Sequence, residues 1–484
     1  MMTPPIRARL MTRPTMCSGV HLYTAEFSRR PSRPVSARQW IDTLARTVGD
    51  RPAIDPSGAR ASRTERQRLA ELRDAVAVLY RQNRRRGQST MHDQEYDFVC
   101  PAPDRYPLQW FWDSCFHAVV LSRLDLERAA AEIRTLLANQ RADGFISHLT
   151  VWRREDGAQA IDESLVDWYA PGLSNSMQPP VLAEAVAAVA HRGMGIGFLT
   201  EVLPAVRAYY DWCDRVRDPD RDGLIVVWEP HETGMDQSPA FDAYLGVDEP
   251  SRATLDAARR RLSPARRGVP GGDTQGKFVV VDPLVNTLYA ENQRVLADLL
   301  DEGGDSAGGS EVRARAARTA AALFTECWDP EAREFRGSAG ASRRVLPGGT
   351  VAGLLPILLH GAPEGAVTAI TDRLIDPAQF AARFPVPSVA RSHPAYRPEP
   401  VDDLLWRGST WICINWYLAR GLRRHGRADL ADQIESASLG LVERSGFREH
   451  YNPEIGTGYG ARDFAWSALV LEMLAGRLEG DRIE

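Results

Sequence analysis

The decapeptide PHETGMDQSP, residues 230–239, sets two carboxylates, a histidine, a glycine and two prolines within ten positions. Such a run suits neither helix nor strand, because Gly234 and the prolines interrupt the first and the acids weaken the second. It reads as a stiff loop that carries chemistry. A carboxylic acid that donates a proton must be held rigidly and partly desolvated, so that its pKa climbs toward the working pH. Asp236 is assigned that role. Gly234 lets the backbone approach a ligand closely, and Pro239 locks the exit. Glu232 is read as orienting its neighbours. A second carboxylate must face the first, and FREHYNPEIGTGYGARDFAW supplies Glu449, between Arg448 and His450 and ahead of a Gly-rich turn with Tyr459 and Trp466. Two carboxylates across a cleft are what glycoside hydrolysis requires.

Other stretches suit a sugar between those acids. In YPLQWFWDSCFHA, Trp110 and Trp112 bring aromatic faces beside Asp113. A sugar stacks its C–H face on such rings while the acid accepts hydroxyl hydrogens. The same Asp113 equally suits the first turn of an ordinary helix. DGFISHLTVW offers His148 and Trp152, and SNSMQPP offers Gln178, whose amide can hold two adjacent hydroxyls. LLWRGSTWICINWY offers Trp406 and Arg407, with Trp411 and Trp416 read as helix core. In DPDRDGLIVVWE, Asp218, Asp220, Asp222, Gly223 and Glu229 match a calcium-loop spacing. The residues that follow are strand-like and no partner helix comes after them. The stretch is therefore read as a tight acidic turn, and no calcium is expected at Asp218, Asp220 or Asp222.

The elements that must position these groups are helical. From TERQRLAELRDAVAVLYRQN, with Thr64 as N-cap, to DFAWSALVLEMLAGRL, eleven blocks repeat apolar residues at helical spacing. Only GLIVVW and KFVVV look strand-like. Long loops rich in aromatics and acids recur every second helix or so, at 99–113, 143–180, 219–242, 262–283, 376–410 and 447–463. Long ordered loops are uncommon and usually functional. A ring of helix hairpins with its loops gathered at one end gives this rhythm, so the expected fold is all-α, an (α/α)6 barrel over residues 61–484. An irregular solenoid is the alternative.

Composition narrows the class. The 484 residues carry a net charge of −5, with lysine only at Lys277, so no electrostatic footprint for nucleic acid is present. No apolar run approaches the roughly 20 residues of a membrane span. The six cysteines are scattered without a CxxC, which reads as buried free thiols in a reducing cytoplasm. Residues 1–60, rich in Arg and Pro, read as a disordered extension.

Taken together, WFWDSCFHA, GFISHLTVW, SMQPPVLAEAV, DGLIVVWEPHETGMDQSP, VVVDPLVN, PSVARSHPAY, WRGSTW and FREHYNPEIGTGYGARDFAWSAL resemble glycoside hydrolase family 63 and its bacterial mannosylglycerate and glucosylglycerate hydrolases. The eight stretches stand in the family's order over about residues 100–470. The resemblance implies an (α/α)6 barrel and an inverting mechanism, with Asp236 as general acid and Glu449 as general base. It implies that Tyr106, Trp110, Trp112, Asp113, His148, Trp152, Gln178, Gly234, Trp406 and Arg407 wall the sugar pocket, and that no metal or organic cofactor takes part. The expected substrate is a small α-glucoside or α-mannoside, glucosylglycerate or mannosylglycerate first. A disaccharide-cleaving α-glucosidase or trehalase-like enzyme, and a catalytically silent sugar-binding protein, are the alternatives. Leu405 and Ser409 stand where glycerate-specific members carry Tyr and Pro, and the loop 260–277 lacks a clear Tyr. Arg266 or Arg267 is expected to grip a carboxylate aglycone.

Overall fold

A computed structural model describes residues 58–160, 166–262 and 278–480. The expectations for the N-terminal extension and for Arg266 and Arg267 lie outside the described residues, except that the first helix already begins at Gly58.

Six inner elements close on themselves. Helix Phe111–Leu121 packs on Leu182–Val189, then Pro283–Glu302, the stretch Val351–Leu358, Ile412–Arg424 and finally Leu469–Glu479, which returns to Phe111–Leu121. Each is backed by one outer helix: Leu126–Leu137, Gly195–Arg217, Ser306–Glu326, Glu364–Ile375, Ala428–Ser445 and, for the last, Gly58–Gln82. This is the six-hairpin toroid expected from the sequence. The sorting follows hydrophobic pattern. Phe111–Leu121 is apolar nearly all round, and all of its residues are buried. Leu126–Leu137 is amphipathic and buries Ala129, Ala130, Ile133 and Leu136, one face at helical spacing. Asp125 and Asp282 cap their helices by accepting the N–H groups of Arg128 and Val285.

The ring is sealed where its ends meet. Glu472, buried on the last inner helix, binds Arg123, just after the first inner helix, and Arg192, within the turn Ala190–Met194 that follows Leu182–Val189. The helical stretch Leu182–Arg217 is an inner–outer hairpin, folded back at Gly193, whose φ is +143°.

Several elements differ from expectation for local reasons. Thr64 lies inside the first helix instead of capping it. Val351–Leu358 forms a fully buried 3₁₀-helix; Pro356 cannot donate to the ladder, and a Cβ on Gly353 would stand 2.6 Å from the Phe335 carbonyl oxygen. GLIVVW makes a single bridge, Val227 to Val280, and only Val280–Val281 of KFVVV is strand. Helices Arg252–Leu262 and Glu364–Ile375 and the hairpin Arg84–Gln88/Glu95–Val99 were not among the expected blocks. The acidic turn is closed by its own chain: Asp218 accepts the Asp222 and Gly223 N–H groups, and Arg343 binds Asp220 at 2.7 Å and Asp222 at 2.6 Å. Cys100, Cys115, Cys213, Cys327 and Cys413 are buried free thiols.

Candidate active site

The inner helices start at the end of the ring where the long loops gather. Trp110 ends a short strand, Gln109–Trp110, paired with Leu149–Thr150, and the chain turns directly into helix Phe111–Leu121. Trp112 and Asp113 thus sit in that helix's first turn, and His148 sits beside the partner strand. The Trp110 and His148 rings meet at 5.1 Å. Gln178, just ahead of helix Leu182–Val189, accepts the Trp112 N–H through Oε1 at 2.9 Å. It satisfies an otherwise orphaned donor at the helix start.

The loop 230–239 is held from below. Glu232 and Arg217 form a bidentate ion pair with both contacts at 2.7 Å. The same carboxylate accepts the N–H of Met177 at 3.0 Å and of Trp228 at 2.6 Å. Glu232 therefore orients its neighbours, as its place in the sequence suggested. Gly234 adopts φ +72°, and a Cβ there would lie 2.4 Å from Trp112 Cη2. The loop backbone rests on the indole, so only glycine fits. Beyond that turn comes Asp236, with His231 Nε2 at 3.4 Å from its Oδ2. Burial raises the Asp236 pKa, and the nearby guanidinium groups of Arg259 and Arg252 oppose the rise.

Glu449 stands on the hairpin Arg448–Tyr451/Gly458–Arg462. Tyr106 Oη donates to its Oε1 at 3.1 Å and the Ala461 N–H to its Oε2 at 2.8 Å. A Cβ on Gly460 would lie 2.4 Å from Oε2, which explains the Gly-rich turn. Burial raises the Glu449 pKa; the Ala461 N–H, Arg105 and Tyr106 pull it back, while the Asp236 charge adds to the rise. Tyr106 feels both Glu449 and Asp236, so the two carboxylates share one cleft.

Aromatic rings stand beside it in a continuous chain of contacts. Tyr106 meets Trp110 at 6.0 Å and Phe464 at 5.8 Å; Phe464 meets Trp466, and Trp466 meets Trp112 and Trp411. Trp406 lies flat on Trp411, centroids 3.8 Å apart and planes within 5°. Trp411 is fully buried beneath Trp406, and Trp416 packs with Phe116 and Tyr417, so both lie in the core as expected. Among the described residues, Trp110 Nε1, Trp411 Nε1, His148 Nε2 and Arg407 Nε are buried without a hydrogen-bond partner. These are groups that hydroxyls would satisfy. Burial pushes His148 down to about 3, so its imidazole is neutral. Asp113 is fully buried and its pKa is well above the usual carboxylate range, again from burial.

Two expected wall residues are committed elsewhere. Trp152 lies in a separate cluster with Tyr96, Phe98 and Cys100, and its indole N–H donates to Gln109 at 2.9 Å. Arg407 binds Asp242 bidentately at 2.9 and 2.6 Å, leaving Nε toward other partners. Arg105, Asp242, Arg252 and Arg259 are site residues that the sequence reading passed over. Arg105 adjoins Tyr106, which was the available signal; the others sit in stretches with no pattern of their own.

A family model described as the mannosylglycerate hydrolase MGH1-like glycoside hydrolase domain matches residues 106–467. The chain is 31% identical over 420 residues to the mannosylglycerate hydrolase of Thermus thermophilus, covering 77% of this chain and 95% of that one. It is 26% identical over 417 residues to the glucosylglycerate hydrolase of Mycolicibacterium hassiacum, covering 76% and 92%. The crystal structure of a GH63 mannosylglycerate hydrolase from Thermus thermophilus in complex with Tris and D-glycerate aligns at TM-score 0.72 and 28% identity, covering 84% of this chain and 100% of that one.

Proposed function

The chain belongs to the mannosylglycerate hydrolase MGH1-like glycoside hydrolases and hydrolyses a small glycoside, and from that premise we propose an inverting α-glycosidase that cleaves an α-glucoside or α-mannoside of glycerate. Asp236 protonates the leaving oxygen as the glycosidic C–O bond breaks. Glu449 takes a proton from the water that attacks the opposite face of the anomeric carbon. The observation that carries this reading is the unequal setting of the two buried acids. Glu449 receives two direct donors, Tyr106 Oη and the Ala461 N–H, which favour its anion. Asp236 receives one direct donor, a backbone N–H; otherwise its burial is opposed by the charges of Arg259 and Arg252 on a neighbouring helix, and it keeps an imidazole beside it. Environments that push two carboxyls apart in this way assign base and acid. The inverting geometry calls for about 6.5–9.5 Å between them, with room for the water.

In this reading the sugar stacks against Trp110, Trp112 and Trp406, while His148, Gln178, Asp113 and Arg407 meet its hydroxyls. Gly234 keeps the backbone close, and no metal or organic cofactor is required. Trp152 supports the wall through Gln109. A glycerate aglycone is supported by the relatives' substrates and by the three arginines near the two acids, Arg105, Arg252 and Arg259, each of which is also paired with a carboxylate, Asp403, Asp256 and Glu229 respectively. The buried free thiols among the described residues suit a reducing cytoplasm.

Proton NMR of the purified protein with glucosylglycerate, mannosylglycerate, trehalose and kojibiose tests this. The β-anomer of glucose or mannose should appear first from a glycerate glycoside. An α-anomer appearing first refutes the assigned roles, and cleavage of a disaccharide alone refutes the glycerate aglycone.

A further inference from the structure

An inverting hydrolase ends each turnover with its two acids in the wrong protonation states. The acid has lost a proton to the leaving oxygen, and the base has gained one from water. Before the next cycle Asp236 must regain a proton and Glu449 must release one. Two sides of Asp236 are covered, since Trp112 lies beneath the preceding glycine and helix Arg252–Leu262 lies alongside, and its side chain keeps 20% exposure on the side where the substrate would sit. The imidazole within reach is His231, whose Nε2 stands 3.4 Å from Asp236 Oδ2 and whose side chain is 23% exposed. Contacts of this kind are often long in a ligand-free site and tighten in the complex.

We propose that His231 is the proton-return residue for Asp236: its Nε2–H protonates the Asp236 carboxylate after each turnover, and it recovers a proton from solvent. This rests on Asp236 being the general acid. The balance is one proton gained by His231 from water, passed to Asp236, and given to the leaving oxygen of the next substrate. A second proton passes from the attacking water through Glu449 to solvent. His231 also holds the pair's proton to higher pH, because the neutral imidazole accepts from protonated Asp236. Arg252 and Arg259 oppose protonation of Asp236 by their positive charge, and Asp256 on the same helix favours it. Glu449 and Tyr106 face the pair from across the cleft. His231 thus offsets the two arginines that a carboxylate aglycone calls for. It sits in the first turn of the 3₁₀ stretch Pro230–Thr233, on the loop that Glu232 anchors, so its position is fixed with that of the acid.

The test compares pH profiles of kcat and kcat/KM for wild type, His231→Gln, His231→Phe and Asp236→Asn. Each is assayed on the best glycerate glycoside and on the matching α-glycosyl fluoride, whose leaving group needs little protonation. For both His231 variants the alkaline limb on the glycoside should fall by about one pH unit, a tenfold loss of rate above it. KM should hold, the fluoride profile should not move, and added imidazole should restore part of the lost rate to a third variant, His231→Ala. An alkaline limb on the glycoside that coincides with wild type in both variants, alongside an inactive Asp236→Asn, overturns the relay while leaving the acid assignment intact. Equal losses on glycoside and fluoride at every pH also overturn it, because they mark a structural lesion. An Asp236→Asn enzyme with wild-type glycoside activity overturns the underlying acid assignment instead.

Discussion

Glu232→Gln separates the two acids of the decapeptide by what each does. Both Glu232 oxygens are committed: Oε1 accepts from Arg217 Nη2 and the Met177 N–H, and Oε2 accepts from Arg217 Nη1 and the Trp228 N–H. The pair is almost wholly enclosed, with side chains 1% and 2% exposed. Glutamine keeps the shape but must turn its NH2 toward one of these donor sets. It therefore loses two charge-assisted bonds and leaves Arg217 buried without a counter-charge. Breaking one partner of a buried pair costs about 3–5 kcal/mol. Unfolding entropy of ~2.1 cal/mol/K per residue over roughly 420 folded residues converts this into a Tm drop of about 3–6 °C. The loop that carries Asp236 loosens with it, and a 1 Å misplacement of a reacting group costs ~100-fold in rate. Calorimetry together with kcat/KM is the assay. Asp236→Asn, by contrast, should leave Tm near wild type and remove the ~10²–10⁴-fold acid contribution. A Glu232→Gln protein within about 0.5 kcal/mol of wild-type stability, the range of an ordinary surface change, refutes the anchoring role.

Three further perturbations follow from the same geometry. Gly234→Ala forces an L-residue into φ +72° with its Cβ against Trp112; it should cost about 1–2 kcal/mol of backbone strain and lower kcat/KM by ~100-fold through the displaced acid, measured by steady-state kinetics and denaturant unfolding. Glu132 is fully buried, and burial pushes it up from 4.5 to about 8. The unfolded chain ionises first, so this site's contribution is whole below about pH 4.5 and is lost as pH rises through about 8; Glu132→Gln should flatten stability against pH across that window in urea titrations. Glu472→Leu removes the carboxylate that seals the ring, while Arg123 keeps Glu479 and Arg192 keeps Ser122; a loss of about 1–3 kcal/mol in chemical denaturation is expected, with kcat/KM little changed.

The sequence by itself determined what is local. Period-3.6 apolar blocks marked most of the barrel helices because an amphipathic or all-apolar helix writes its burial into its own spacing. Gly234, Pro239 and the Gly-rich run after Glu449 marked two rigid acid-bearing loops because those backbones exclude other residues. Tertiary structure decided which groups meet. Arg407 and Asp242 are 165 residues apart, and Tyr106 and Glu449 are 343 apart; no local period records such pairings. It turned Trp152 away from the cleft toward Gln109 and laid Trp406 on Trp411. It also gave Arg343 to the acidic turn, whose spacing alone resembles a calcium loop. Even the inner 3₁₀-helix Val351–Leu358 follows from a neighbour, since the close approach of Gly353 to the Phe335 carbonyl exists only once the ring has closed. Secondary structure is written in nearest neighbours, whereas a site is a set of contacts across the chain, and those are fixed only by packing.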